Sequence, residues 1–161
     1  MVRIVQEAQA PVAGIDSPSS CAPPGCRSRP GERALAREVC PIFYTPDEET
    51  VRSGNPFYGW VVEGLGLYAG LAEEAPGTEC VEVFPSAAWT VLAGPRDGRP
   101  KPLWSREALE VAGLAGLPSR TSQDARDAAG AALVAALHRG GMTIDFGGIA
   151  VPREGAVALV R

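Results

Sequence analysis

Residues 2–9 place Val2, Val5 and Ala8 on one helical face, and Pro11 closes that helix. The stretch that follows, Val12-Ala13-Gly14-Ile15, is apolar and ends on a single carboxylate, Asp16, before Ser17 and Pro18. That pattern predicts a buried strand stopped by Pro18. A carboxylate at the carboxyl end of a strand in an open α/β sheet faces a crevice; on this stretch alone the bland reading, an Asx-turn from Asp16 to the backbone ahead of Pro18, carries more weight. Residues 19–30 are rich in Ser, Pro, Cys and Gly and read as a loop, and residues 31–39 read as one or two helical turns. Thr45-Pro46-Asp47-Glu48 carries the signals of a helix start, with Thr45 as the cap and Asp47, Glu48 and Glu49 suited to the positive helix end. Phe57, Trp60, Val61, Leu65, Tyr68 and Leu71 then recur at helical spacing and predict an amphipathic helix to about Glu73. Gly64, Gly66 and Gly70 interrupt it, and close helix packing explains them better than a dinucleotide fingerprint with no strand before it.

A second strand is predicted over residues 79–85, where Glu79, Val81 and Val83 fall on one face and Cys80, Glu82 and Phe84 on the other. Ser86 is the expected cap of a helix running to Leu92. A polar loop over residues 94–102 carries Arg96, Arg99 and Lys101, and a modest helix is expected from Ser105 to Leu117. The most legible helix follows Thr121-Ser122 and runs from Gln123 to Leu137, with small residues that suit it to lie close to a sheet. Two apolar runs, residues 147–152 and 156–160, predict a terminal hairpin.

Alternating strand and helix signals in 161 residues, 45% of them hydrophobic, predict one α/β domain over residues 1–161 with a mixed sheet flanked by helices. No apolar run is long enough to cross a membrane and the first residues lack the pattern of a signal peptide, so a cytoplasmic protein with no membrane partner is expected. Cys21, Cys26, Cys40 and Cys80 form no CxxC pair, and with His138 as the lone histidine they predict free thiols and no structural zinc. A net charge of −4 excludes a broad basic nucleic-acid footprint. It leaves room for a local patch at Arg27, Arg29, Arg33 and Arg37, where Arg29, Arg33 and Arg37 stand four apart along one helical face that reads as solvated.

The chemistry legible in the chain is that of acids. There is no GxSxG, P-loop or HExxH, and one histidine leaves a Ser/His/Asp or Cys/His site without its parts. Asp16 at a strand end, Glu82 on a largely apolar strand face, and Asp124 and Asp127 three apart on one helix could converge as hard oxygen ligands for Mg²⁺ or Mn²⁺. Glu82 on such a face must be either paired or functional. Asp124 also suits a simple helix-dipole role, whereas Asp127 lies deeper among small residues. The reaction class these acids fit is metal-assisted phosphodiester hydrolysis.

In order, the chain shows Gly14-Ile15-Asp16-Ser17-Pro18, an Arg/Glu-rich helix containing Arg33, Val81-Glu82-Val83-Phe84-Pro85-Ser86, Lys101 in a loop, and Asp124-Ala125-Arg126-Asp127-Ala128. In this order it resembles an uncharacterised family of predicted nucleases with a ribonuclease H-like fold. The resemblance spans roughly residues 3–160. It implies a ribonuclease H-like mixed sheet and a divalent-metal-dependent nuclease acting on nucleic acid or nucleotide. It further implies Asp16, Glu82, Asp124 and Asp127 as catalytic candidates, Asp16 and Asp127 as metal ligands, and Arg33 and Lys101 as phosphate partners. The chain departs from the family in one respect: only eleven residues precede Val12, where members usually carry a strand hairpin with a further acid. The expectation is an N-terminally truncated form, or a coding sequence that continues upstream into an apolar strand with an Asp near its end. A truncated sheet would expose a strand edge and favour a homo-oligomer. The alternative function is a non-catalytic ribonuclease H-like binding or assembly module with an incomplete metal site.

Overall fold

The two strands that end near Asp16 and Phe84 lie side by side in a computed structural model that describes residues 2–114, 116–118 and 120–156. After helix α1 (Val2–Ala8), strand β1 (Val12–Ile15) pairs in parallel with β2 (Glu79–Val83), with Ile15 opposite Glu82. The chain between them forms α2 (Pro30–Glu38), the single turn α3 (Glu48–Val51), a 3-10 turn at Pro56–Tyr58, and α4 (Gly59–Glu74). Beyond β2 come α5 (Pro85–Ala93), α6 (Lys101–Val111), α7 (Gln123–Arg139) and the strands β3 (Thr143–Phe146) and β4 (Ile149–Pro152). The sheet order is β1-β2-β4-β3, with β4 parallel to β2 and antiparallel to β3. The protein is therefore an α/β chain with a mixed four-stranded sheet among the described residues.

Strand alternation assigns the helices to two faces. Val81, Val83 and Ala150 pack with Trp89, Trp104, Leu109, Ala131 and Val134, so α5, α6 and α7 cover one side. Ile15, Ala13 and Cys80 pack with Val5 and Leu71, which places α1 and α4 on the other, and Leu35 of α2 continues that layer over Ile149 and Val151. Covering both faces is what nearly continuous apolar strands such as β1 and β4 require. The α7 helix comes so close to β1 that a Cβ on Gly14 would collide with the Ala131 carbonyl, and Gly130 leaves room for the Trp89 ring. The small residues of α7 thus serve the close approach that their spacing predicts.

Several local expectations need correction. The helix expected from Ser105 begins at Lys101, because Pro102 fits a first helical turn and Ser105 lies inside it, its hydroxyl donating to the Lys101 carbonyl at 2.9 Å. Pro85 rather than Ser86 opens α5. The cap of α3 is Asp47, whose carboxylate accepts from Thr50 N at 3.0 Å and Gly25 N at 2.7 Å; Thr45 is buried instead. The observed hairpin joins β3 to β4 through Gly147-Gly148, both at positive φ as a tight hairpin turn demands. The expected second run at 156–160 lies outside the described residues after Ala156. Among the described residues no helix is long and apolar enough to cross a membrane.

Arg29 departs most from expectation. It is not part of a solvated stripe but is buried, and its guanidinium joins two buried carboxylates. Its Nη1 donates to Glu82 Oε2 at 2.7 Å and its Nη2 to Glu82 Oε1, while Nε donates to Glu32 Oε1 at 3.1 Å. Glu32 also accepts from the backbone N–H of Arg29 at 2.9 Å and of Thr45 at 3.0 Å. Burial alone would lower the Arg29 pKa, but the hydrogen bond and charge of Glu82, followed by those of Glu32, carry it above its ordinary value. Removing the cation leaves two buried carboxylates uncompensated. Arg29→Met is expected to cost about 3–5 kcal/mol of stability, read as a lower urea midpoint; a midpoint within error of the parent protein would show that the cluster carries no weight in the fold.

A candidate acid site at the end of the first strand

Asp16 stands at the carboxyl end of β1, where the strand stops because Ser17-Pro18 turns the chain away. The turn is held in several places. Tyr68 of α4 donates its hydroxyl to the Ser17 carbonyl at 3.2 Å. Burial and then the charge of Glu82 raise the phenol's pKa, which keeps it a donor. Ser17 Oγ packs so tightly on α4 that a Cβ on Gly64 would overlap it, giving the glycine a packing reason. Gly66 meets nothing that would exclude a side chain.

Along β1, which stands at one end of the sheet order among the described residues, runs a groove of about 830 Å³, walled by α1 and α4 on one side and α7 on the other. Its walls are mainly apolar, with Ala8 and Leu67 facing Ala128, Ala132 and Ala136. Asp16, Asp124 and Asp127 line one end, and Arg139 lines it at the far end of α7. Three of the four acids picked out in the sequence therefore line one groove.

Their environments differ. Asp127 is buried and fully engaged: its Oδ1 accepts from Gln123 Nε2 at 2.8 Å and Trp89 Nε1 at 3.3 Å, and its Oδ2 accepts from Lys101 Nζ at 3.0 Å. One carboxylate thus ties α5, α6 and α7 together. Asp124 is exposed in the first turn of α7. Asp16 keeps solvent-facing surface at the groove mouth, yet the surrounding walls withdraw enough water to raise its pKa from 3.8 to about 6. Desolvation is the main cause and Asp127 adds to it; Lys101 opposes the shift, and Asp124 adds a little more.

The other sequence candidates lie elsewhere. Glu82 does not line the acid groove; its oxygens are taken by Arg29 and by Ser19, whose N–H and hydroxyl each donate at 2.8 Å. It is paired, one of the two states that its apolar face allows. Arg33 donates to Ser28 O at 2.9 Å and Ser28 Oγ at 2.8 Å and lines neither large cavity. Lys101 reaches the site as an ion-pair partner of Asp127. Sequence reasoning missed Trp89 and Gln123 as partners of Asp127, although Gln123 four residues earlier on the same helix was a readable signal. Among the described residues no group of three or more His, Cys, Asp and Glu side chains is arranged to hold a metal ion.

The raised pKa of Asp16 has a measurable consequence. An acid whose folded pKa lies above its unfolded value is most favourable to stability below pH 3.8, and that contribution is lost as the pH rises through about 6. Asp16→Asn, neutral at every pH, is expected to melt at a higher temperature than the parent protein above pH 6 and to converge with it near pH 4. Parallel melting curves across that window would refute the shift. No family model, curated protein or solved structure matches this chain, so the reading of the site rests on its geometry and its sequence pattern.

Proposed function

We propose that this chain is a ribonuclease H-like domain that hydrolyses phosphodiester bonds with a divalent metal ion. The observation that carries the reading is the meeting of Asp16 and Asp127, from a strand end and a helix, at one end of an open groove. Their mutual repulsion contributes to the raised pKa of Asp16, so a cation between them would relieve it. Mg²⁺ is commonly bound by one or two carboxylates, with water and substrate phosphate supplying the remaining oxygens, and this pair fits that donor set. Such an ion polarises a phosphoryl oxygen and makes bound water acidic.

The chain's own residues supply the remainder. Trp89 and Gln123 hold the Asp127 carboxylate in one orientation through Oδ1, so that only its ion pair with Lys101 would have to give way to a cation. Lys101, half-exposed and beside Asp127, is placed to meet a phosphate oxygen when the carboxylate engages a cation. Asp16, with a pKa of about 6, can take up and release a proton close to neutral pH. Mn²⁺-dependent cleavage of RNA or DNA is expected, falling to background in Asp16→Asn and in Asp127→Asn and by about 10- to 100-fold in Lys101→Ala. Unchanged cleavage by Asp16→Asn would overturn the assignment.

The second reading, a ribonuclease H-like binding or assembly module, draws on a different observation. Asp127 is already held by Lys101, Gln123 and Trp89, and among the described residues no group of three or more His, Cys, Asp and Glu side chains is arranged to hold a metal ion. Calorimetric titration separates the two. A saturable Mn²⁺ heat that disappears in Asp16→Asn supports the hydrolase, and its absence from the parent protein supports the module.

A further inference from the structure

Asp16 and Ser17 also line a second cavity, of about 340 Å³, on the α4 side of the sheet. Its walls include Phe43, Phe57, Trp60 and Phe84, and three of these rings are open to solvent: Phe43 is 72% exposed, Phe57 55% and Trp60 41%. Phe43 and Phe57 meet edge to face with centroids 6.4 Å apart, and Phe57 meets Tyr58 in the same manner at 5.2 Å. Leaving such rings clustered in water is unfavourable, and clusters of this kind mark surfaces that receive a ligand. Ser17 and Thr45 belong to its lining, but their hydroxyls are themselves buried and make no hydrogen bond, Thr45 being wholly buried. A largely apolar cavity with aromatic walls and a few polar residues in its lining is the usual form of a small-ligand site.

Flat aromatic walls open to solvent match a nucleobase, which offers a π-face to stack on them. The shared position of Asp16 links this cavity to the acid groove. We infer that the cavity between Phe43, Phe57 and Trp60 holds one base of a single-stranded polynucleotide, with the adjoining phosphodiester lying at Asp16. The inference rests on the proposed hydrolase and assigns its substrate as a single strand. A paired and stacked base cannot enter such a cavity without being extruded from its duplex. With a net charge of −4, the chain draws its affinity from stacking more than from phosphate attraction.

The test uses a fluorescein-labelled oligothymidylate of about 8 nucleotides, within the usual range of single-strand sites. It is titrated into the full chain in Ca²⁺ buffer without Mg²⁺ or Mn²⁺, so that binding is read apart from turnover. Saturable binding is expected, at least about tenfold tighter than for a duplex of the same length. Phe57→Ala and Phe43→Ala should each weaken it about fivefold or more, with unchanged melting temperatures because both rings are exposed. Trp60 is the exposed one of three tryptophans, the others being buried, so its emission should be quenched on binding. Trp60→Phe should abolish the quench while keeping the affinity. Equal affinity for duplex and single strand, or full affinity in both phenylalanine variants, would overturn the inference. Ring-dependent single-strand binding without Mn²⁺-dependent cleavage would overturn the hydrolase and leave the base site standing; cleavage indifferent to both rings would do the reverse.

Discussion

The cluster of Arg29 with Glu82 and Glu32 is the constraint on which the rest of the molecule depends. Three charged side chains lie almost fully out of water, and each is tolerable only because the others are present. Glu82 belongs to β2, Glu32 to α2 and Arg29 to the end of the long loop after β1, so the cluster joins a central strand to the layer over it. Ser19 donates to Glu82 by both its N–H and its hydroxyl, which pins the start of that loop as well. A loop rich in Ser, Pro and Gly would otherwise have many conformations to lose. Here it is fixed at both ends, and the position of Asp16 follows from that.

A second polar knot does the corresponding work on the opposite face. Asp127 accepts from a side chain on each of α5, α6 and α7, and the neighbouring Arg126 is buried against Ser105 and Gln123 of the same helix pair. The two knots stand on either side of the sheet, and both act near the carboxyl ends of β1 and β2. Their difference matters for chemistry. Glu82 has its lone pairs committed to a buried cation, whereas Asp127 is oriented by partners of which one, Lys101, is partly exposed.

Much of this was legible in the sequence. The apolar run ending in Asp16, the alternation over residues 79–83 and the small-residue helix behind Asp127 all correspond to observed elements, because each had a clear period and a clear stop. What failed to show was set by tertiary contact. Thr45 looked like a helix cap until its N–H was claimed by Glu32, and the arginines four apart looked like a solvated stripe until the first of them was buried at the start of its helix. The Phe57 and Trp60 positions fit the apolar face of one helix by spacing, but Phe57 lies in the 3-10 turn before α4 and Trp60 in the first turn of α4, and both are exposed. The strand Thr143–Phe146 was hidden because it is short, polar in part and last in the sheet order of the described residues, where packing imposes little pattern.

Asp16 sits where the two cavities meet, so its charge state depends on what fills them. An apolar occupant beside it removes more water and favours the protonated acid, whereas a cation near Asp127 cancels the repulsion that helps to raise its pKa. As proposed, a base on one side and a cation on the other would therefore act on the same carboxyl in opposite directions. By linkage, each must change the affinity of the other by the same factor. The backbone offers little slack to relax this opposition, because Ser17 is locked to Gly64 and Tyr68, and Gly14 lies hard against Ala131. A rigidly held acid between two unlike cavities is thus able to couple ligand identity to protonation without movement of the sheet.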